Sequence, residues 1–390
     1  MGTDGPALAR PVVPYKREAF FEGDSLMINM GPQHPSTHGV LRLQLETDGE
    51  IVRSIRPVIG YLHRCFEKHA ESLTYPQVIP YVDRMDYLAA MNNELAYALA
   101  VEKLLEQEVP ERLEYLRVIM AELQRIGSHL IGLGTFALDI GNITPFMYCF
   151  RDRERVLDLF EWVSGARLLY NYLWIGGVMF DLPQGWVEQT RRFLDELEPH
   201  WDEFDTLLSR NKIFIERTAE VGILPPEVAI SYGVTGPNLR GSGVQWDLRK
   251  DEPYGIYDRF DFDVPVGKGE HGTVGSALDR FLVRVEEVRQ SVRILKQALD
   301  QLPPGDPNEK MPSKVRPPKG AEAYVRTESP RGELGFYVVS DGSDKAYRVK
   351  GRSPCFTAIS VVPVIGPGSM IADAVVTVGS LDIVLGEIDR

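Results

Sequence analysis

Leu113, Leu116, Met120, Leu123, Ile126 and Leu130 recur at intervals of three and four residues. That spacing places them on one face of a helix and predicts a long amphipathic segment. A second set, Leu88, Met91, Leu95 and Leu99, predicts another helix before it, with Pro110 as the break between them. Further helices are expected over about 151–171, 185–208 and 276–302, the last stopped by Pro303-Pro304-Gly305. The stretch 222–265 is rich in glycine and proline and reads as irregular. Strand patterns lie at the two ends of the chain. They cover Leu26–Met30, 40–46 and 51–55, with Asp48-Gly49 as a hairpin turn, and 321–328, 333–340, 345–350, 356–363 and 374–378. The order strands, helices, strands predicts an α+β fold: a central helix bundle with a β-sheet region built from both chain ends. The expected divisions are an N-terminal arm (1–24), a β region (25–62), a helical core (63–302), a proline-rich linker (303–320) and a C-terminal β region with its tail (321–390).

Charge and cysteine content narrow the function. There are 43 Lys plus Arg against 56 Asp plus Glu, a net charge of −13. A nucleic-acid binder would show a basic surface instead. The three cysteines, Cys65, Cys149 and Cys355, are far apart and form no CxxC. They supply no thiolate set for zinc or for an iron–sulfur cluster, so no metal is expected on this chain alone. No apolar secretory segment precedes Arg10. Residues 353–372 carry no charge, but Pro354, Pro363 and Pro367 argue against a membrane span and for short buried strands.

The segment Gly31-Pro32-Gln33-His34-Pro35-Ser36-Thr37-His38-Gly39 concentrates two histidines between glycines. Its prolines forbid a regular helix or central strand, so the imidazoles sit on a loop of fixed shape. Histidine exchanges protons near neutral pH, and loops on a rigid scaffold are where chemistry is usually carried. The competing reading is a tight turn whose histidines only cap backbone groups.

Other candidates divide in the same way. Glu122, Arg125 and His129 share one helix face; a solvated or internally paired stripe explains the first two, and a buried, hydrogen-bonded imidazole the third. Asp86 fits the N-cap of the helix that follows. Capping explains neither Arg84 nor Tyr87. Asp139 lies in an apolar neighbourhood at a helix end, where a carboxylate needs a partner such as histidine. Gly267-Lys268-Gly269-Glu270-His271-Gly272 fits GxGxxG, yet the strand and the distal acid that a dinucleotide site requires are missing.

Taken together, several stretches resemble the 49-kDa subunit of respiratory complex I, the proton-pumping NADH:quinone oxidoreductase. They are Gly31–Arg42, Gly60-Tyr61-Leu62-His63-Arg64, Asp83-Arg84-Met85-Asp86-Tyr87, Arg331-Gly332-Glu333-Leu334-Gly335 and Leu381–Arg390, in the family's order and spanning about residues 25–390. That family looks like a descendant of the nickel–iron hydrogenase large subunit. A hydrogenase holds its metal with a CxxC pair near each chain end; here those regions contain no cysteine. The resemblance implies a hydrogenase-like fold whose vacated cavity receives a quinone headgroup as substrate. It implies that His38 and Tyr87 hydrogen-bond the quinone carbonyls and that Asp139 pairs with His38. His34, Arg84 and Arg64 are expected to line the cavity or lie near the 4Fe–4S cluster of an adjacent small subunit. Two donors at developing oxyanions are what a two-electron, two-proton reduction needs. The implied partners are that small subunit, other peripheral-arm subunits and a membrane-arm subunit at the quinone entry. The implied location is peripheral, on the cytoplasmic face of the bacterial inner membrane.

The chain departs from the family pattern in four places. Cys65 replaces the usual glycine, and Leu169-Tyr170 a histidine pair. Trp174 stands where an arginine is usual, and residues 306–320 are shorter than the family's segment. In the family, the histidine at Leu169 makes the cluster potential pH-dependent; leucine puts that coupling in doubt. The other reading is a non-catalytic scaffold subunit of a related hydrogenase-like membrane complex.

Overall fold

A computed structural model describes residues 25–34, 39–305 and 314–390. The N-terminal arm, His38 and part of the proline-rich linker lie outside the described residues. Near the N-terminus, strands β1 (Leu26–Met30), β2 (Arg42–Asp48) and β3 (Ile51–Val58) form an antiparallel meander. Met30 pairs with Leu43 and Leu45 with Ile55, and the expected Asp48-Gly49 turn closes the second hairpin. Leu43, Leu45 and Thr47 alternate inward along β2, the period-two pattern of a half-buried strand.

The helical region follows. Two short helices, α1 (Phe66–Ala70) and α2 (Tyr75–Val82), precede α3 (Ala90–Leu105) and α4 (Glu111–Asp139). The 29 residues of α4 span about 44 Å. Glu111 and Glu114 stand in its first turn, where negative charge complements the helix dipole. Its apolar residues pack into the largest core cluster with those of α3, of α5 (Ile143–Ser164), and of helices farther along the chain. The expected helix over 151–171 is displaced: α5 begins at Ile143 and stops at Gly165, whose φ of 79° ends the helix. A small ribbon, β4 (Leu173–Trp174) with β5 (Gly177–Val178), leads to α6 (Trp186–Leu208).

After a short helix α7 (Lys212–Thr218), the irregular stretch contains only short helices, α8 (Pro226–Ser231), α9 (Gly236–Gly241) and α10 (Leu248–Asp251), plus a 3-10 turn. The long helix α11 (Ala277–Gln301) follows, capped by the Ser276 side chain. Then β6 (Glu322–Ser329), β7 (Gly332–Ser340) and β8 (Ala346–Arg352) make a second antiparallel meander.

Beyond β8 the structure corrects the expected strands at 356–363 and 374–378. These residues form α12 (Pro354–Ser360), α13 (Val362–Ile365) and α14 (Ile371–Ser380), and α15 (Leu385–Asp389) ends the chain. Short apolar runs buried on every side carry no decisive periodicity. The local start signal is helical: Ser353 Oγ accepts the Phe356 N–H at 3.2 Å, and Pro354 occupies the first turn.

A second correction concerns the sheet. The chain ends do not share one; each builds its own three-stranded sheet. They meet through an isolated antiparallel bridge, Ile51 with Met370, and through packing, because the β1–β3 residues join α12–α15 in one apolar cluster. The β6–β8 sheet packs with α2 and α3 in another. The mixed helix-and-sheet composition agrees with the α+β expectation. No helix among the described residues is long and apolar enough to cross a membrane.

Candidate functional site

Four of the sequence segments singled out above converge at the C-terminal helix α15. Asp389 accepts the Gly60 N–H at 2.8 Å and the Leu62 N–H at 2.7 Å, which fixes the Gly60–Arg64 turn against the chain end. The ring Nδ1 of His63 lies 2.7 Å from the Asp389 carbonyl oxygen. Gly386 lets α15 approach the Arg84–Tyr87 segment: a Cβ there would stand 2.6 Å from the Met85 carbonyl oxygen and 3.1 Å from Arg64 Nη2. Arg64 in turn donates to the Arg84 carbonyl oxygen. Arg84 and Arg64 are both exposed and line a cleft of about 100 Å³ with Phe66, Tyr81, Met85, Gly386 and Arg390.

Arg331, in the tight turn between β6 and β7, is the hub beneath this surface. It is fully buried. Its Nη1 donates to Asp86 Oδ2 at 2.8 Å and to Ser128 Oγ of α4 at 2.7 Å, and its Nη2 reaches Asp382 Oδ1 at 3.4 Å. Arg284 Nε of α11 stands 3.8 Å from the other Asp382 oxygen. Gly132 of α4 makes room for that carboxylate; a Cβ would come within 2.7 Å of it. Burial opposes the Arg331 charge, but Asp382 and Asp86 outweigh it and hold the guanidinium protonated.

Asp86 therefore is not a helix cap, contrary to the expectation from its sequence position. The helix starts at Ala90, and the Asp86 carboxylate pairs with Arg331 while accepting the Leu88 N–H. Its neighbour Tyr87 is half-buried. Burial, and then the adjacent Asp86 charge, push its phenol up, so the hydroxyl keeps its proton at neutral pH. Tyr87 is thus a hydrogen-bond donor with a proton to give.

The other predicted residues are placed as follows. His34 is exposed and bridges to Gly39, whose position lies against Leu385 of α15. Asp139 is the last residue of α4, partly buried, with its carboxylate facing the position of Gly379 in α14. His38 lies outside the described residues. Cys65 precedes α1 with a φ of 54°, and Leu169 has a φ of 60°, both left-handed. The Leu169 loop is held by two buried acids: Asp83 accepts the Asn171 N–H, and Glu94 those of Tyr172 and Leu173.

Glu122, Arg125 and His129 belong to a wholly buried polar network. Arg125 and Arg249 pair with Glu122, and Arg240 bonds Glu328 and Glu287. His129 Nε2 lies 2.9 Å from Glu287; burial lowers the imidazole pKa, which makes it a neutral N–H donor to that carboxylate. The internally paired reading of Glu122 and Arg125 holds, and the solvated one does not. The glycine-rich loop is also explained: Asp279 Oδ1 accepts the Lys268 and Gly269 N–H groups, the donors a phosphate would need. The larger cleft, about 320 Å³ between α6 and α11, touches none of the motif residues.

The sequence alone assigns no role to Arg331, Asp382, Ser128, Cys355 or Glu387. Arg331 and Asp382 are visible there only as members of matching stretches, since their partners are remote in the chain.

Comparison with known proteins identifies the family. A family described as the respiratory-chain NADH dehydrogenase 49 Kd subunit matches residues 139–321 and 308–390. A protein of Prosthecochloris aestuarii, named as an NADH-quinone oxidoreductase subunit, is 54% identical over 377 residues, 96% of this chain and 94% of its own length. Proteins of the same name from Chlorobium luteolum and Chlorobaculum tepidum are each 53% identical; the first covers 94% of this chain and of its own length, the second 96% and 94%.

Proposed function

The chain belongs to the family of the 49-kDa subunit of respiratory-chain NADH dehydrogenase, and from that premise we propose that it forms one wall of a quinone-reduction site. It is a subunit of an NADH-quinone oxidoreductase, complex I, and its partners are the other subunits of that complex. In this reading the fold is that of a nickel–iron hydrogenase large subunit whose metal cavity now admits a quinone headgroup. The observation that carries it is the Tyr87 phenol, kept protonated on a platform rigidified by the Asp86–Arg331 pair.

Each participant then has a defined task. A 4Fe–4S cluster in the adjacent small subunit supplies electrons. Tyr87 donates a hydrogen bond to one quinone oxygen, and His38 donates to the other. A preorganised donor counts most where charge develops. Asp139 orients the His38 imidazole and stabilises its charged form. His34, Arg64 and Arg84 line the cavity or its approach to the cluster. A fixed positive charge there favours electron arrival. Reduction coupled to proton translocation places the subunit on the cytoplasmic face of the bacterial inner membrane, beside a membrane-arm subunit through which the quinone enters.

A photoreactive quinone bound to the assembled complex tests the reading. It predicts labelling of this chain within residues 84–88 or 381–390, suppressed by excess native quinone. Labelling confined to other subunits would contradict it.

A further inference from the structure

Cations are unevenly shared among the three buried acids around Arg331. Asp86 lies 2.8 Å from Arg331, and Asp382 has both Arg331 at 3.4 Å and Arg284 at 3.8 Å. Glu387, on α15, forms no ion pair with either arginine. It is fully buried, and neither of its carboxyl oxygens has a hydrogen-bond partner among the described residues. The Cys355 thiol and backbone N–H of α12 face it outside full hydrogen-bonding geometry. Cys355 gives Glu387 no charge, because burial holds the thiol far above its ordinary range. The remaining charged groups that act on this corner are Asp86, which repels an ionised Glu387, and Arg331, which attracts it but is already shared.

An ionised carboxylate that is buried, held at most by weak contacts from Cys355 and without its own cation is costly, and the inexpensive state is the neutral acid. The same corner adjoins the donor tyrosine. Asp86 precedes Tyr87 in the chain, and Asp86 and Arg331 both act electrostatically on the phenol. Gly386, next to Glu387, packs on the Met85 carbonyl.

We propose that Glu387 is the proton-holding residue behind Tyr87, neutral in the resting site and the source that restores the phenol after it has given its proton to the substrate. The inference rests on the quinone-site reading above. The step is a proton transfer alone: the Glu387 O–H bond breaks, the Tyr87 O–H bond re-forms, and the negative charge passes from the phenolate to the Glu387 carboxylate. Arg331 stabilises that charge. Asp86 opposes it, so the carboxylate tends to take a proton back and reset the site. Burial, with the Asp86 charge, raises this carboxyl to about 7, so it is loaded below neutrality and increasingly empty above.

Infrared difference spectra of the assembled complex, with a parallel pH profile of quinone reduction, test this. The wild type is expected to show a carboxylic-acid carbonyl band that fades as pH rises through about 7. Glu387→Gln should abolish it, and Glu387→Asp should keep an acid band at a displaced position. Quinone reduction in Glu387→Gln should fall roughly 10²-fold, the low end for a lost general acid, and its alkaline decline should disappear. NADH oxidation by a soluble artificial acceptor reports assembly. If Glu387→Gln does not assemble, Glu387→Asp decides by the displaced band alone. An unaltered band in either variant, or a wild-type pH profile in Glu387→Gln, would overturn the proposal. Loss of the band in a complex whose photoreactive quinone labels only other subunits would leave Glu387 a proton carrier but refute the quinone-site reading, so the two failures are separable.

Discussion

The Arg331 guanidinium lies 2.8 Å from the Asp86 carboxylate across 245 positions of sequence. That bond ties the turn between β6 and β7 to the segment that presents Tyr87. Ser128 and Asp382 complete the hub, so one side chain holds together α4, the C-terminal sheet and the chain end.

Removing one member of a buried ion pair leaves its partner uncompensated and costs about 3–5 kcal/mol, whereas replacing both with apolar groups is often near neutral. Arg331→Leu is therefore expected to prevent stable incorporation of the subunit. Arg331→Leu combined with Asp86→Leu should recover part of the loss. Complex yield and melting temperature measure this, and strictly additive losses would show that the pair is not coupled.

Cys65 sits at a φ of 54°, where a Cβ is strained and glycine is not. A glycine, which the resemblance puts at this position in the family, would carry no such strain. Cys65→Gly should stabilise the complex by roughly 1 kcal/mol, the scale of the left-handed penalty less the chain entropy of glycine. A lowered melting temperature would show that the exposed thiol makes a compensating contact.

The long helices and the β2–β3 hairpin are legible in the sequence because amphipathic spacing and Asp-Gly turn chemistry are local. Tyr87 stands out because capping leaves it unexplained. The C-terminal helices read wrongly as strands because Val361, Val362, Val376 and Val378 are buried all round, where apolar periodicity does not separate helix from strand. Arg331, Asp382 and Glu387 are illegible for another reason: their roles exist only through partners brought by the fold.

The proposed pairing of Asp139 with His38 predicts non-additivity. A carboxylate that orients an imidazole has little left to do once the imidazole is gone. Asp139→Asn and His38→Ala should each lower quinone reduction, and the double variant should be little worse than His38→Ala. Independent, multiplicative losses would mean the two do not touch.

Leu169, where the resemblance puts a histidine in the family, has a φ of 60°, a conformation histidine tolerates better than leucine. Without that imidazole, the potential of the partner's cluster should vary little with pH between about 7 and 8, within the range a histidine titrates. Asp83 and Glu94 hold the same loop as a coupled pair and burial raises both, Asp83 to about 6, so any residual slope should come from this pair and vanish when both are replaced by their amides. Leu169→His should restore a slope approaching −60 mV per pH unit, about the one-electron, one-proton value. Redox titration followed by electron paramagnetic resonance measures it; such a slope already present in the wild type would contradict the assignment.

The most direct test of the quinone site is Tyr87→Phe in the assembled complex, since only the hydroxyl is lost. Turnover with native quinone and with a soluble artificial acceptor should be measured in parallel. The account predicts quinone reduction lowered by roughly 10²–10³, the cost of one oxyanion donor, with artificial-acceptor activity and subunit content unchanged. Unchanged quinone turnover would contradict it.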